Sequence, residues 1–371
     1  MAEAGSLELK LQRLWNGQGS VMLRGVLVAA AGAYRGALAA REACYGAGLF
    51  STGRLPVPVI SIGNLTLGGS GKTPLTALVT AVLRELGAYP AVVSRGYGRR
   101  TRGVHVVADR DGVRLGAREA GDEPRLLAEQ LPGLPVVVGE SRYEAGRAAV
   151  ERGADVLVLD DGFQHRTLAK DLEILAVEGR EPWGNGRLFP RGVLREPLSA
   201  LRRAHLVVVT NPAGPGVTQQ IEWSLRREGS HAPVLSGAFR AEALREGDGR
   251  PQSPAVLSGR RVVALAGLAS PAGFVATLTS LGASVVELLA FPDHHPYRET
   301  DLEQVRLSVQ RSGAEWVVTT EKDWVRLRDA PGLEVPLKVL AIRLDMGTGR
   351  PALVDALART LRSKAAGRTH P

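Results

Sequence analysis

Three places in the chain carry residue types suited to moving a phosphoryl group. The first is the run Thr66-Leu67-Gly68-Gly69-Ser70-Gly71-Lys72-Thr73, closed by Pro74. Closely spaced glycines let successive backbone N–H groups turn toward an anion, and the start of a following helix adds partial positive charge. Lys72 would reach the β- and γ-phosphates, and the Thr73 hydroxyl would serve Mg²⁺. The usual phosphate loop reads G-x-x-x-x-G-K-[ST]. Counted back from Gly71-Lys72-Thr73, its first glycine falls on position 66, where Thr66 stands. The second place is DVLVLDDGFQ, an apolar run ending in Asp160 and Asp161, the form of a Walker B acid that holds the metal. The third consists of acids and imidazoles: Asp122-Glu123 in GDEP, and Asp293-His294-His295 in FPDHHPY. By residue type alone, Asp122 ahead of Glu-Pro is a good helix start. Two adjacent imidazoles rarely point at one ion.

The elements that must position these residues are legible after Pro56. VPVISIGN reads as a buried strand and KTPLTALVTAVLRELG as a helix with apolar residues at helical spacing. PAVVSRGYG, PVVVG, ADVLVLDDGF, LEILAVEG and AHLVVVTN read as further strands, with DEPRLLAEQL and SRYEAGRAAVERG as helices between them. Continuous aliphatic strands alternating with helices predict an α/β fold, a parallel sheet covered on both faces. The strand–loop–helix order places the glycine-rich run where an anion site belongs, and the acid-tipped strand supports phosphate chemistry on a nucleoside triphosphate. Guanine specificity is unsupported. Asn211 ends a strand without the Lys and Asp of N-K-x-D, and Lys322-Asp323 has no preceding Asn.

The whole chain bounds these readings. Hydrophobic residues make up 44% and charged residues 23% of the 371, a globular composition with material for a core, and aromatics at 5% make that core mostly aliphatic. The length predicts roughly two or three domains. A single cysteine, Cys44, excludes an intramolecular disulfide and an all-cysteine metal cage, and fits a reducing compartment. The net charge of +9 suits anionic lipid, phosphorylated substrates or nucleic acid, or simply reflects an arginine-rich composition. No aromatic stacking motif accompanies it, so nucleic acid is not expected as a partner.

Residues 1–50 stand apart, Ala- and Gly-rich with arginines spaced through them. The uncharged run between Arg24 and Arg35 falls short of the ~20 apolar residues that span a bilayer. A signal peptide is disfavoured by Glu3 and Glu8 in the leader. On a helix Leu23, Leu27, Tyr34 and Leu38 form an apolar stripe, which suits either a membrane interface or packing on the domain behind it. The organisation expected is a membrane-associating helical segment over 1–50, a P-loop kinase domain over 51–215, a connecting segment over 216–255, and a smaller α/β domain over 256–371. The tail after Arg362 is expected to be frayed.

Seven stretches, in order, carry a resemblance: VPVISIGNLTLGGSGKTP, VVSRGYGRR, GDEPRLLA, VLDDGFQHRTLAKDLEI, GNGRLFPRGVLREP, FPDHH and TTEKD. Together, from about Pro56 to about Asp323, they resemble the tetraacyldisaccharide 4'-kinase family, the lipid A 4'-kinases of Gram-negative bacteria. That family's loop is G-N-x-x-x-G-G-x-G-K-T-P, within which Thr66 is normal. The resemblance implies ATP- and Mg²⁺-dependent phosphorylation of the 4'-hydroxyl of a tetraacyldisaccharide 1-phosphate. It implies a P-loop NTPase-type domain joined to a smaller α/β domain, with the active site between them, and a peripheral enzyme on the cytoplasmic face of the inner membrane, next to an anionic lipid surface. It makes Asp122 the base, His294 its partner, Glu123 a metal-associated acid beside Thr73, Asp160 and Asp161, and residues 66–73 the nucleotide loop. Gln164 and His165 follow the acid pair and line the same site. Asn185, Arg191 and Arg195 lie in a basic, Gly-rich loop suited to an anionic sugar-lipid, although Arg195 also reads as a surface charge. His295, Lys322 and Asp323 receive no role in the chemistry, and Lys322 and Asp323 read as a structural ion pair. The alternative is a P-loop ATPase acting as a switch or assembly factor.

Overall fold

The computed structural model describes residues 15, 20–247, 249–268, 270–328, 330 and 335–366. The described residues fall into two compact units. The first draws on Met1–Arg95, Gly139–Ala238 and Met346–Pro371, and the second on Gly96–Val138 and Phe239–Asp345.

In the first unit, strands β1 (Val59–Gly63), β2 (Pro90–Ser94), β6 (Val156–Leu159), β7 (Leu172–Glu178), β8 (Leu206–Thr210) and the start of β9 (Val234–Arg245) run parallel. The order is β9-β8-β7-β1-β6-β2. β1, β2, β6 and β8 are buried at every position, which explains their unbroken Val, Ile and Leu runs. The loop-bearing strand β1 is central, so the glycine-rich run emerges at the carboxyl edge of the sheet. In open α/β sheets ligands bind at that edge.

The second unit holds β10 (Arg261–Ala266), β11 (Ser284–Ala290), β12 (Trp316–Thr320) and β13 (Leu337–Asp345), parallel and ordered β11-β10-β12-β13. It also holds β3 (His105–Asp109), β4 (Gly112–Val113) and β5 (Val136–Val138), which pair antiparallel. The α/β class is thus as expected, but the sheet is mixed. PVVVG pairs with a strand lying in the irregular, polar stretch after Arg95.

The division of the chain differs from the one expected. Residues 96–138 belong with 239–345, because helix Asp122–Gln130 packs on helix Glu321–Leu327. Ala117, Leu126 and Val325 form a small core there, and Glu129 takes Arg125 at 2.6 Å and Arg328 at 2.7 Å. The stretch 216–255 is not a linker. It contains helix Pro215–Arg227, with Ile221 and Leu225 buried, and most of β9. Its Arg, Glu and Gln face solvent and mask a narrow apolar stripe. The last helix, Arg350–Ala366, runs past Arg362 and returns to the first unit. There Lys364 meets Asp171 at 3.2 Å and Arg350 meets Glu85 at 2.7 Å.

Helix Val21–Gly46 forms as expected; the rest of 1–19 other than Trp15 lies outside the described residues. Its stripe is split. Leu27, Tyr34 and Leu38 are half-buried against the first unit with Ala31, whereas Val21, Met22, Leu23, Val26 and Val28 are exposed.

Candidate active site

The first unit builds an anion site from backbone. Gly63 ends β1 where a Cβ would lie 2.5 Å from that of Phe163, so only glycine fits. The chain then turns through the loop, with Gly68 at φ 102° and Gly71 at φ 75°, both in the region that favours glycine. Gly71 caps helix Lys72–Glu85, whose first N–H groups and dipole face the loop. Thr66 has no left-handed backbone. It bridges Leu194 in extended form, and the Leu67 N–H donates to the Val193 carbonyl at 2.7 Å. A side chain is therefore tolerated at the position where the usual loop turns on glycine. Ser70 is buried; its carbonyl accepts from Thr210 Oγ1 at 3.2 Å, and its hydroxyl has no hydrogen-bond partner among the described residues.

The two acids after β6 differ. Asp160 is buried, and accepts from Thr76 Oγ1 at 3.0 Å and Ser94 Oγ at 3.4 Å. Asp161, at φ 51°, accepts from Arg195 Nη1 at 3.1 and 2.8 Å and lies 3.6 Å from Lys72 Nζ. Burial pushes the Asp161 carboxyl up, but Lys72 and Arg195 outweigh it and hold the pKa below the ordinary value. Arg195 is thus no loose surface charge. Thr76 and Ser94 carried a faint signal in sequence, one helical turn beyond Lys72 and at the tip of β2.

The residues anticipated for substrate divide. Gln164 donates to the Asn64 carbonyl at 2.8 Å, and Asn64 Nδ2 donates to the Thr66 carbonyl at 2.7 Å, so Gln164 braces the phosphate loop. His165 shares a 2.7 Å hydrogen bond with Thr167 Oγ1; burial, then Arg142, Lys170 and Arg95, push its pKa down to about 4. The ring is neutral at pH 7. Asn185 closes its own loop, donating to the Arg191 carbonyl at 3.1 Å and accepting from the Arg187 N–H at 3.2 Å, while Arg191 is half-exposed.

The second unit builds its cluster from side chains. Gly121, at φ 92°, caps helix Asp122–Gln130 and leaves the Asp122 carboxylate free of capping. Its Oδ2 lies 3.0 Å from His294 Nδ1 and 3.6 Å from Arg326 Nε. His294 sits at φ 58° beyond β11, a conformation a non-glycine residue rarely adopts, with its ring tilted on Tyr97 at 5.7 Å. With Nδ1–H donated to Asp122, Nε2 carries a lone pair, and the Lys322 ammonium stands 3.5 Å from it. Lys322 also donates to Asp293 at 2.9 Å and Glu123 at 3.5 Å. Burial works against the charged ammonium, yet Glu123 and Asp293 outweigh it and raise the Lys322 pKa.

Lys322 and Asp323 do not pair with each other. Asp323 is fully buried and takes Tyr297 Oη at 2.8 Å, Thr320 Oγ1 at 2.7 Å, the Gly267 N–H at 3.1 Å and the Arg326 guanidinium. Burial and the Asp323 carboxylate push the Tyr297 hydroxyl pKa up. Asp323 thus anchors Arg326 beneath Asp122. His295 stacks on Phe291 at 4.8 Å and bonds Asp301 at 2.8 Å, a packing role.

Among the described residues no three His, Cys, Asp or Glu side chains are grouped to hold a metal. Mg²⁺ takes one or two carboxylates plus phosphate and water oxygens. The hard oxygens of the first unit, Thr73 at the helix start and the Asp160 carboxylate held by Thr76 and Ser94, suit such an ion. Glu123 lies in the second unit, on Lys322.

The chain matches the family described as Tetraacyldisaccharide-1-P 4'-kinase over residues 23–362. The tetraacyldisaccharide 4'-kinase of Anaeromyxobacter dehalogenans (strain 2CP-C) is 45% identical over 346 residues, covering 90% of this chain and 89% of the relative. That of Syntrophus aciditrophicus (strain SB) is 43% identical over 325 residues, covering 84% and 86%. The crystal structure of LpxK from Aquifex aeolicus in complex with ATP superposes with a TM-score of 0.74 at 31% identity, covering 91% of this chain and 99% of that one.

Proposed function

This chain belongs to the tetraacyldisaccharide-1-P 4'-kinase family, and we propose that it transfers the γ-phosphoryl group of ATP to the 4'-hydroxyl of a tetraacyldisaccharide 1-phosphate in lipid A biosynthesis. The loop amides of residues 66–73 and the Lys72 ammonium hold the phosphates, and incoming phosphate competes with Asp161 for Lys72. Thr73 and Asp160 would hold Mg²⁺, which when bound neutralises phosphate charge. Asp161, next to Asp160, is the other carboxylate proposed for it, while Glu123 is held by Lys322. In the transfer the 4'-oxygen bonds to the γ-phosphorus, the bond from that phosphorus to the bridging oxygen of ADP breaks, and the hydroxyl proton passes to the Asp122–His294 pair. His294 orients the Asp122 carboxylate through Nδ1–H, while Arg326 and Lys322 keep the cluster charge-balanced. Gln164, His165, Asn185 and Arg191 are proposed to face the sugar-lipid.

The observation that carries this reading over a switch ATPase is the 3.0 Å contact between Asp122 and His294. A carboxylate held by an imidazole is equipped to accept a hydroxyl proton; a helix cap is not. The test supplies γ-labelled ATP with and without the tetraacyldisaccharide 1-phosphate. Label moving to lipid supports the kinase. Label appearing only as free phosphate, whether or not lipid is present, overturns it.

We further propose peripheral attachment to the cytoplasmic face of the inner membrane, next to anionic lipid. Helix Val21–Gly46 has 26 residues and a mean hydropathy of 1.3 in its most apolar window, with Ala31 its one buried residue. Its exposed apolar side chains, Val21, Met22, Leu23, Val26 and Val28, lie before Tyr34, from which point hydrogen bonds and ion pairs tie the helix to the first unit. Such a helix suits lying on the bilayer interface with those side chains toward lipid. Replacing Met22 and Val26 with Glu should reduce co-sedimentation with anionic vesicles. Unchanged sedimentation would place the attachment elsewhere.

A further inference from the structure

The N-terminal helix has a second face, and that face leads to the phosphate site. The Tyr34 hydroxyl donates to the Arg195 carbonyl at 2.8 Å. Two helical turns on, the Arg41 guanidinium pairs with Glu196, which is 2% exposed and takes Arg203 on its other oxygen. Arg195 is the joint. Its backbone N–H donates to the Leu65 carbonyl at 2.7 Å, immediately before the glycine-rich loop. Its side chain holds both oxygens of Asp161. A single residue is thus fixed on one side by the N-terminal helix and on the other by the loop start and the acid beside Lys72.

We infer that Tyr34 and Arg41 are positioning residues for nucleotide: by fixing Arg195 and Glu196 they set the loop start and the charge balance around Asp161. The N-terminal helix is then part of the phosphate-site framework as well as a lipid-facing element. The inference rests on the proposed nucleotide role of that loop. A separate clamp, Glu42 to Arg166 at 2.6 Å, also holds the helix to the unit, so removing one hydroxyl need not undock it.

The test uses the full chain with Tyr34→Phe, Arg41→Met and Arg41→Lys. ATP affinity at equilibrium, the KM for ATP and for detergent-dispersed lipid, and co-sedimentation with phosphatidylglycerol–phosphatidylethanolamine vesicles are all measured. Tyr34→Phe should weaken ATP binding and raise the KM for ATP about three- to tenfold, the equivalent of one hydrogen bond. The KM for lipid and vesicle binding should stay unchanged. Arg41→Met should act in the same direction and Arg41→Lys should restore most of the loss. Wild-type ATP affinity in both Tyr34→Phe and Arg41→Met, or a defect seen only with vesicles, overturns the inference. If Arg41→Met fails to fold, Tyr34→Phe decides alone, since the ring that packs is retained. A wild-type chain that binds ATP but does not phosphorylate lipid would refute the functional reading and leave the ATP-affinity comparison to decide this one.

Discussion

The two units place most of their chemistry by the same rule and make it from different material. The glycine-rich loop and the Asp160–Asp161 pair of the first unit, and His294 and Lys322 of the second, lie beyond the carboxyl ends of parallel strands, where an α/β sheet opens, whereas Asp122 starts a helix after the antiparallel pair β3–β4. In the first unit the anion site is one contiguous run, residues 66–73, whose donors are backbone amides freed by glycine. In the second the pair Asp122–His294 joins segments 172 residues apart, and its partners are Asp293, next to His294 in the same loop, and Lys322 and Arg326, both on helix Glu321–Leu327. A backbone site needs only a local conformation, so a local motif specifies it. A side-chain cluster needs the whole topology, so no local motif does. The two imidazoles show the same contrast: His165 lies among cations, whereas His294 is bonded to a carboxylate.

The largest expected effect lies in the second unit. Asp122→Asn keeps the volume and removes the proton acceptor, so kcat should fall by ~10²–10⁴-fold with ATP binding nearly intact. His294→Ala should act in the same direction, and the double variant should fall short of the product of the two losses, because the residues act as one group. Steady-state kinetics of the three variants decide it. Should Asp122→Asn abolish ATP binding while His294→Ala is silent, the side-chain cluster serves nucleotide instead, and the contrast between the units collapses.

Lys72→Ala tests the first unit. Backbone amides still face the phosphates in this variant, but the cation that now rests against Asp161 is gone. Loss of one such charge stabiliser commonly costs ~3–4 kcal/mol of the barrier, ~10²–10³-fold in kcat. Retention of more than about a tenth of wild-type kcat, a loss of only ~1.4 kcal/mol, would mean that the glycine-rich loop does not hold the transferred phosphate.

How far the chain could be read without its structure follows the same division. The β1–loop–helix unit was legible because Gly63, Gly68 and Gly71 and the aliphatic run before them act over a few residues. So was the acid-tipped strand ending in Asp160. Asp122 was ambiguous: Asp before Glu-Pro looks the same whether it caps a helix or serves a partner 172 residues away, and only the Gly121 cap and the His294 contact separate the two. Lys322 and Asp323, adjacent in sequence, invited pairing. On helix Glu321–Leu327 they diverge, one toward Asp293 and the other toward Tyr297 and Arg326. The domain boundaries were misplaced because the affiliation of 96–138 with 239–345 rests on packing between Leu126 and Val325, which no composition reveals.

The smallest effect is carried by His165 and sharpens the contrast between the imidazoles. Burial and the neighbouring cations hold its folded-state pKa at about 4, against an ordinary value of 6.5. Between those values the unfolded chain binds a proton that the folded chain refuses, so stability must decline as pH falls from 6.5 toward 4, and is fully present above 6.5. The ring is only partly buried, so solvent screening reduces the contribution to about 1–2 kcal/mol. Carboxylates lose stability over the same range, and His165→Gln isolates the imidazole, since the amide cannot take up the proton. Denaturant unfolding at pH 7.5 and pH 5 should show a smaller acid-induced loss in the variant than in the wild type. The histidine ring resonance followed by NMR gives the direct reading. A midpoint near 4 agrees with a ring kept neutral among cations. A midpoint near 6.5, with equal acid sensitivity in variant and wild type, would mean that Arg142, Lys170 and Arg95 exert no hold on it and that the two imidazoles do not differ in the way their surroundings dictate.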